Sequence, residues 1–417
     1  MRKRPAPALL FPGQGSQRPG MGRALLERHA EARAAVEEAG DAIGADLARL
    51  LRDGSMEELT RTEIAQPAIL AVSVAMYRVY RGSLGGPPPG WLAGHSLGEF
   101  SALACAGALP LGDAARLVQA RGRLMAEAAR RQPGGMAAAL GIAPERAEAI
   151  CREIAADGRF GVVVPANYNA AAQTVLSGHF PALEEAARLV REAGGSTVRL
   201  AVGGAFHSPL MASAAAAFGE ELSAARLGSP LLPVLSGVTG RRMPGSAAAL
   251  AELLQRQLTA PVRWTAVMAK LAELGARAAV EAGPGAVLQR LAAGSGIRVL
   301  AMDEEAAFGE LEETLRRGRC ISYLEGCLAV AVGTRSEEDD LLVYRREVEA
   351  PYRELEQLLQ AAEAEPSAPV DAARLEQAES LLGRLLAGKG LPEAERRERL
   401  SRLAAAHGRR PVEAEAR

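Results

Sequence analysis

"WLAGHSLGEFSALACAGAL", residues 91–109, places Ser96 between Gly94 and Gly98, with a short apolar run before the motif and an apolar helical run after it. A strand turning directly into a helix belongs to α/β architecture. The G-x-S-x-G spacing is that of an elbow that holds a serine hydroxyl at the end of a strand, where flanking glycines remove the Cβ atoms that would collide. A helix starting at Leu97 also points backbone N–H groups and its positive dipole end at any oxyanion formed there. Read alone, the same letters also describe a tight turn without chemistry.

Outward from this stretch, short apolar strands alternate with longer helices through residue 318, which predicts an α/β core with a mostly parallel sheet. The strand candidates are 8–11, 90–95, 232–237, 277–283 and 297–302. Residues 134–203 carry a different order. Strand, helix, strand, strand, helix and strand follow one another in "GGMAAALG", "APERAEAICREIAADG", "FGVVVPANYN", "AAQTVLSG", "FPALEEAARLVREAG" and "STVRLAVG". This βαββαβ pattern is ferredoxin-like and predicts a small subdomain inserted into the core, with a cleft between the two. The expected domains are therefore a core of 1–133 and 204–318, a subdomain of 134–203, and a helical extension of 319–417. In that extension Leu375, Ala378, Leu382 and Leu385 recur on one helical face.

Composition narrows the function. The 49 basic and 50 acidic residues nearly balance, so no electrostatic footprint points to nucleic acid or a membrane surface. The apolar run near the start is too short for a signal peptide, and no stretch approaches a membrane span. Four scattered cysteines, Cys105, Cys151, Cys320 and Cys327, suggest neither a disulfide framework nor a metal site. The expectation is a cytoplasmic protein.

A serine hydroxyl needs a base to take its proton, and the chain has five histidines. His29 lies in a polar helical stretch, His407 in the tail and His179 after a subdomain strand. His95 adjoins the serine, but its side chain points to the opposite face of the strand end. His207, in "GGAFHSPLM" where the chain returns to the core, remains the candidate base, with a structural role as the alternative. No acid is placed to complete a triad, so a carbonyl oxygen could fix the imidazole tautomer. In "GDAARLVQARGRLMAEAARR", Arg121 shares the apolar face of Ala114, Leu117, Val118, Leu124, Met125 and Ala128. A buried guanidinium left unpaired costs about 3–5 kcal/mol, so Arg121 needs either a carboxylate of the protein or one brought by a substrate.

Seven motifs occur in order: "LLFPGQGSQRPGMG", "GHSLGEFSAL", "QARGRLM", "ANYNAAAQTVLSG", "GAFHSPLM", "APVRW" and "EAGPGAVL". With them residues 7–305 resemble the malonyl-CoA:acyl carrier protein transacylases and the free-standing acyltransferases of polyketide synthases. The resemblance implies an α/β-hydrolase-like core with a ferredoxin-like insertion, and ping-pong transfer. Ser96 would take malonyl from coenzyme A with His207 as base, then pass it to the pantetheine thiol of an acyl carrier protein. It further implies an oxyanion hole from the main-chain N–H groups of Gln14 and Leu97, and a carboxylate partner in Arg121. Asn169, with Asn167 as a weaker alternative, would lie near serine and coenzyme. Phe206 would exclude an α-methyl branch, and the main-chain carbonyl of Arg263 would orient His207. No metal or redox cofactor is implied; coenzyme A is a substrate carrier. A hydrolase using the same serine, or a scaffold, are the competing readings. Residues 319–417 depart from the family, and either form an appendage packed on the core or a helical hairpin, or serve docking to a synthase partner or dimerisation.

Overall fold

The computed structural model describes residues 6–364 and 372–407. Among them the chain divides into two compact units, Met1–Gly309 and Glu310–Arg417.

The first unit is built on two sheets. Strands β1 (Ala8–Phe11), β2 (Trp91–Gly94), β7 (Val234–Leu235), β8 (Ala278–Glu281) and β9 (Arg298–Ala301) form a parallel sheet in the order β7-β2-β1-β8-β9. All four residues of β1 are buried, as expected of a central parallel strand covered on both faces. Leu10, Ala93 and Leu235 on this sheet pack with Trp264, Val267 and Leu271 of the helix Trp264–Glu273. The chain leaves β1 toward β2 and later returns to its other side at β8. The strand order thus reverses beside β1, and open α/β sheets place their ligand crevices at the carboxyl ends of strands near such a reversal.

Strands β3 (Gly135–Leu140), β4 (Val163–Ala170), β5 (Gln173–Gly178) and β6 (Ser196–Arg199) form an antiparallel sheet in the order β4-β5-β3-β6. The helices Pro144–Asp157 and Phe180–Glu192 cover one face, sharing a core of Ile150, Ile154, Leu176, Leu183 and Val190. This sheet belongs to the same compact unit as the parallel one. The reason is a main-chain seam: Tyr168 N–H donates to the Val262 carbonyl and Val262 N–H to that of Ala166, both at 2.8 Å.

The helical runs of residues 22–43 and 56–80 are each broken. His29, with φ −122° and ψ 119°, separates Arg23–Arg28 from Ala30–Ile43, and the Arg33 guanidinium takes the carbonyls of Leu26 and Glu27. Arg61 separates Met56–Thr60 from Thr62–Arg81.

The second unit is helical. It contains most of the helix Glu305–Gly333, then Leu341–Tyr344 continuing through Arg345–Glu349 into Ala350–Ala364, then Ala372–Gly388 and Glu393–Ala406. Its own core holds Cys320, Tyr323, Leu324, Cys327, Leu355 and Leu382, with Ala378 and Leu385 inside and Leu375 against it. Buried Lys389 donates to the carbonyls of Ala331 and Thr334 at 2.8 and 2.6 Å, closing the end of the long helix. The division between units falls at Gly309 rather than at the expected 318/319, because Glu305–Gly333 is one uninterrupted helix with no break at 318.

Candidate active site

The loops after β1, β2 and β7 meet at one end of the parallel sheet. Gly94 and Gly98 are needed there for close approach: a Cβ on Gly94 would lie 1.9 Å from the Gly98 carbonyl carbon, and one on Gly98 would lie 2.0 Å from the Phe11 carbonyl oxygen. The turn they permit gives Ser96 a φ of 52°, and the second non-glycine residue with positive φ among the described residues is His207, at 56°. Left-handed backbone in such residues is strained and marks sites held in place by their surroundings. Here the two strained residues touch. Ser96 Oγ lies 2.7 Å from His207 Nε2.

His207 Nδ1 faces the carbonyls of Gln257 at 2.8 Å and Ala260 at 3.2 Å, so it carries the proton and leaves Nε2 as the acceptor for the serine hydroxyl. Burial first, and the charge of Arg121 second, push the His207 pKa down to about 3, keeping the ring neutral at physiological pH. His95 turns away from this pair, with Nε2 2.9 Å from Asn169 Oδ1 and its ring against Trp264. Burial lowers its pKa as well. His179 Nδ1 accepts from Val162 N–H in the antiparallel sheet, away from the serine.

Arg121 projects from the helix Leu111–Arg131 and is 1% exposed. Nη1 donates to Gln66 Oε1 and Nη2 to Gln257 Oε1, both at 2.9 Å, while Nη2 also reaches Ser96 Oγ at 3.2 Å. All three acceptors are neutral oxygens, and Nε has no acceptor. Burial lowers its pKa to about 10, which still leaves the guanidinium charged at neutral pH. Gln257 also donates from Nε2 to the Ser96 carbonyl at 3.0 Å and to Glu99 Oε2, and Glu99 Oε1 accepts from Gly237 N–H. Glu99 is fully buried, and burial raises its pKa to about 7 against the opposing pull of those hydrogen bonds.

Above the serine lies a cavity of about 150 Å³. Gln14, Leu97, Asn167 and Asn169 line it, with apolar walls from Met125, Val175, Phe206 and Leu288. Irregularities in the β4–β5 pairing flank Asn167 and Asn169, a device that re-aims side chains next to sites. Neither Gln14 nor Leu97 spends its main-chain N–H on an acceptor among the described residues. The arrangement can remove the serine proton, receive an oxyanion and attract an anionic group on the acyl side.

Residues 8–326 match the acyl transferase domain family. The chain belongs to that family. The malonyl CoA-acyl carrier protein transacylase of Haemophilus influenzae is 38% identical over 311 residues, which cover 74% of this chain and 98% of the relative. That of Escherichia coli K12 is 40% identical, covering 68% and 91%. A solved complex of a type II polyketide synthase acyl-carrier protein with its malonyl-transacylase aligns with a TM-score of 0.71 and 37% identity, over 74% of this chain and 99% of the other.

In this acyl transferase domain the sequence-predicted Ser96, His207, Arg121, Gln14, Leu97, Asn169 and Phe206 converge on one cavity. Arg263 does not. Its carbonyl accepts from Val267 N–H as the cap of the helix Trp264–Glu273, and the oxygens facing His207 belong to Gln257 and Ala260. The expectation followed the position of the "APVRW" motif, whereas the turn preceding it approaches the imidazole. Sequence reasoning missed Gln66, Glu99 and Gln257. Glu99 and Gln66 carried a signal, each a polar residue inside an otherwise apolar helical run. Gln257 carried none.

Proposed function

We propose that this protein transfers malonyl from coenzyme A to the phosphopantetheine thiol of an acyl carrier protein through an ester on Ser96. One observation carries the reading: a fully buried guanidinium with only neutral partners lies within 3.2 Å of a serine hydroxyl that contacts a neutral imidazole. A dicarboxylic acyl group supplies the missing anion.

In this scheme His207 Nε2 takes the Ser96 proton as Oγ attacks the thioester carbonyl carbon. The oxyanion settles on the Gln14 and Leu97 N–H groups, where one such donor is worth roughly 2.7–4 kcal/mol. Collapse breaks the carbon–sulfur bond, and the imidazolium returns its proton to the departing coenzyme A thiolate. The carrier thiol then gives its proton to His207 and attacks the ester carbonyl. The second collapse restores the serine hydroxyl. Gln257 and Ala260 hold the imidazole tautomer throughout, so no triad acid is required.

Phe206 beside the base favours an unbranched malonyl group, and Asn169 serves as a contact for the coenzyme side of the cavity. A cytoplasmic location suits the four buried cysteine thiols. The deciding experiment incubates the protein with malonyl-CoA and reads the intact mass. A malonyl ester on Ser96 that persists until a phosphopantetheinylated carrier protein discharges it is the expected result; rapid release of free malonate without carrier would make the protein a hydrolase, and no adduct would leave it a scaffold.

A further inference from the structure

Gln257 touches every part of the site. Its main-chain carbonyl holds His207, its Oε1 accepts from Arg121, and its Nε2 donates to the Ser96 carbonyl and Glu99. A side-chain amide can turn end over end, and only its neighbours decide which end faces where. Reversed, Gln257 would put its NH₂ group against the donating Nη2 of Arg121, and its oxygen against a carboxylate and a carbonyl. Gln66, the other amide on Arg121, is tied at its far end only to Met125 Sδ, at 3.6 Å. The strong determinant is therefore Glu99, whose two oxygens accept from Gln257 Nε2 and from Gly237 N–H.

We propose that Glu99 is a positioning residue for recognition of the acyl carboxylate: through Gln257 it fixes an amide oxygen on Arg121 and keeps the guanidinium aimed at the serine with no anion of the protein upon it. The amide is the essential spacer. A carboxylate placed directly on Arg121 would hold the fork that a malonyl group needs, whereas with Glu99 at one remove the fork carries only neutral oxygens. The inference rests on the malonyl-transfer reading above.

Substitution separates this role from mere packing. In Glu99→Gln the new side chain can accept at one end only, because its other end donates. A donor–donor conflict then falls on Gly237 or on Gln257, and turning the Gln257 amide relieves it by presenting NH₂ to Arg121. The double variant Glu99→Gln with Gln257→Glu matches every donor to an acceptor again, and the Ser96 carbonyl keeps the N–H of residue 99 as a partner. It places a carboxylate directly on Arg121.

The test uses full-length protein, with malonyl-CoA and acetyl-CoA as probes, and reads the initial rate of Ser96 esterification by quenched intact mass, with thermal melting beside it. The wild type must acquire the malonyl ester; failure there removes the transfer reading itself. Given that ester, the ratio of malonylation to acetylation falls roughly tenfold to hundredfold in Glu99→Gln. It stays depressed in the double variant, whose melting temperature recovers toward wild type. An unchanged ratio in Glu99→Gln, whatever the absolute rates, overturns the proposal. So does a double variant that regains malonyl preference. Should Glu99→Gln fail to fold, the double variant carries the test alone, and its failure to fold also overturns the proposal.

Discussion

Arg121 is an expensive residue for this fold, since its guanidinium is buried with an unpartnered Nε and no carboxylate against it. Natural cores seldom retain such a group unless it recognises something. Replacing it with alanine should lower the rate of Ser96 malonylation by roughly a hundredfold or more, the scale of losing a charge-assisted pair in a dry site. Acetyl transfer should suffer less, which steady-state rates on the two thioesters will check; equal losses on both would assign Arg121 to packing. Phe206 is 5% exposed on the cavity wall next to the base. Phe206→Ser opens space beside the reacting carbonyl and should raise methylmalonyl transfer relative to malonyl about tenfold, read by competition between the two coenzyme A thioesters. At this scale the sequence was most legible where chemistry needs a rare residue in a rare setting. Ser96 sits in a glycine elbow, His207 is one of five histidines, and Arg121 breaks an apolar stripe. Gln257 was illegible because an amide two residues from Gln255 in a polar helical end has no local mark. Its role comes from two long-range approaches, from Arg121 and from Glu99.

Local pattern predicted the elements well where one period persisted, and less well at their ends. The breaks at His29 and Arg61 each put one residue in extended backbone, with ψ of 119° and 123°, and neither residue type marks a helix end in the sequence. The helix Val287–Leu291 lines the cavity, and at its start Glu281, at the end of β8, accepts from the N–H groups of Leu288 at 2.9 Å and Gln289 at 2.8 Å. Burial raises the Glu281 pKa to about 7, outweighing those hydrogen bonds. A carboxyl whose native pKa lies above its unfolded value binds its proton more tightly when folded. Its contribution to stability is fully present below about pH 4.5 and is lost as the pH rises through 7. Glu281→Gln does not titrate. The stability of the wild type relative to this variant should therefore fall by roughly 3 kcal/mol between pH 4.5 and 7.5 and level off above it. Urea unfolding of both proteins at several pH values measures the difference, and a gap that stays constant with pH would show that Glu281 keeps an ordinary carboxylate affinity for protons.

The second unit carries a hydrophobic core of its own. The malonyl CoA-acyl carrier protein transacylase of Haemophilus influenzae is covered over 98% of its length by 311 residues of this chain, so that relative has no counterpart to most of the second unit. Sequence reading found the helical extension and its amphipathic faces but set its start near 319, because composition changes there, whereas the polypeptide simply continues as one helix from Glu305 to Gly333. The second core begins with Cys320 and closes on residues of the following helices. A chain ending at Gly318 would therefore retain none of that core's side chains and expose none of them. We expect such a chain to form the Ser96 ester at a rate within about twofold of the full-length protein, because every residue of the site lies in the first unit. Residues 319–407 expressed alone should give a helical circular dichroism spectrum with a cooperative melt, since fifteen buried residues form their core without help from the first unit. A tenfold loss of esterification on truncation would place the extension in the chemistry. A non-cooperative helical segment would make its core dependent on the rest of the chain.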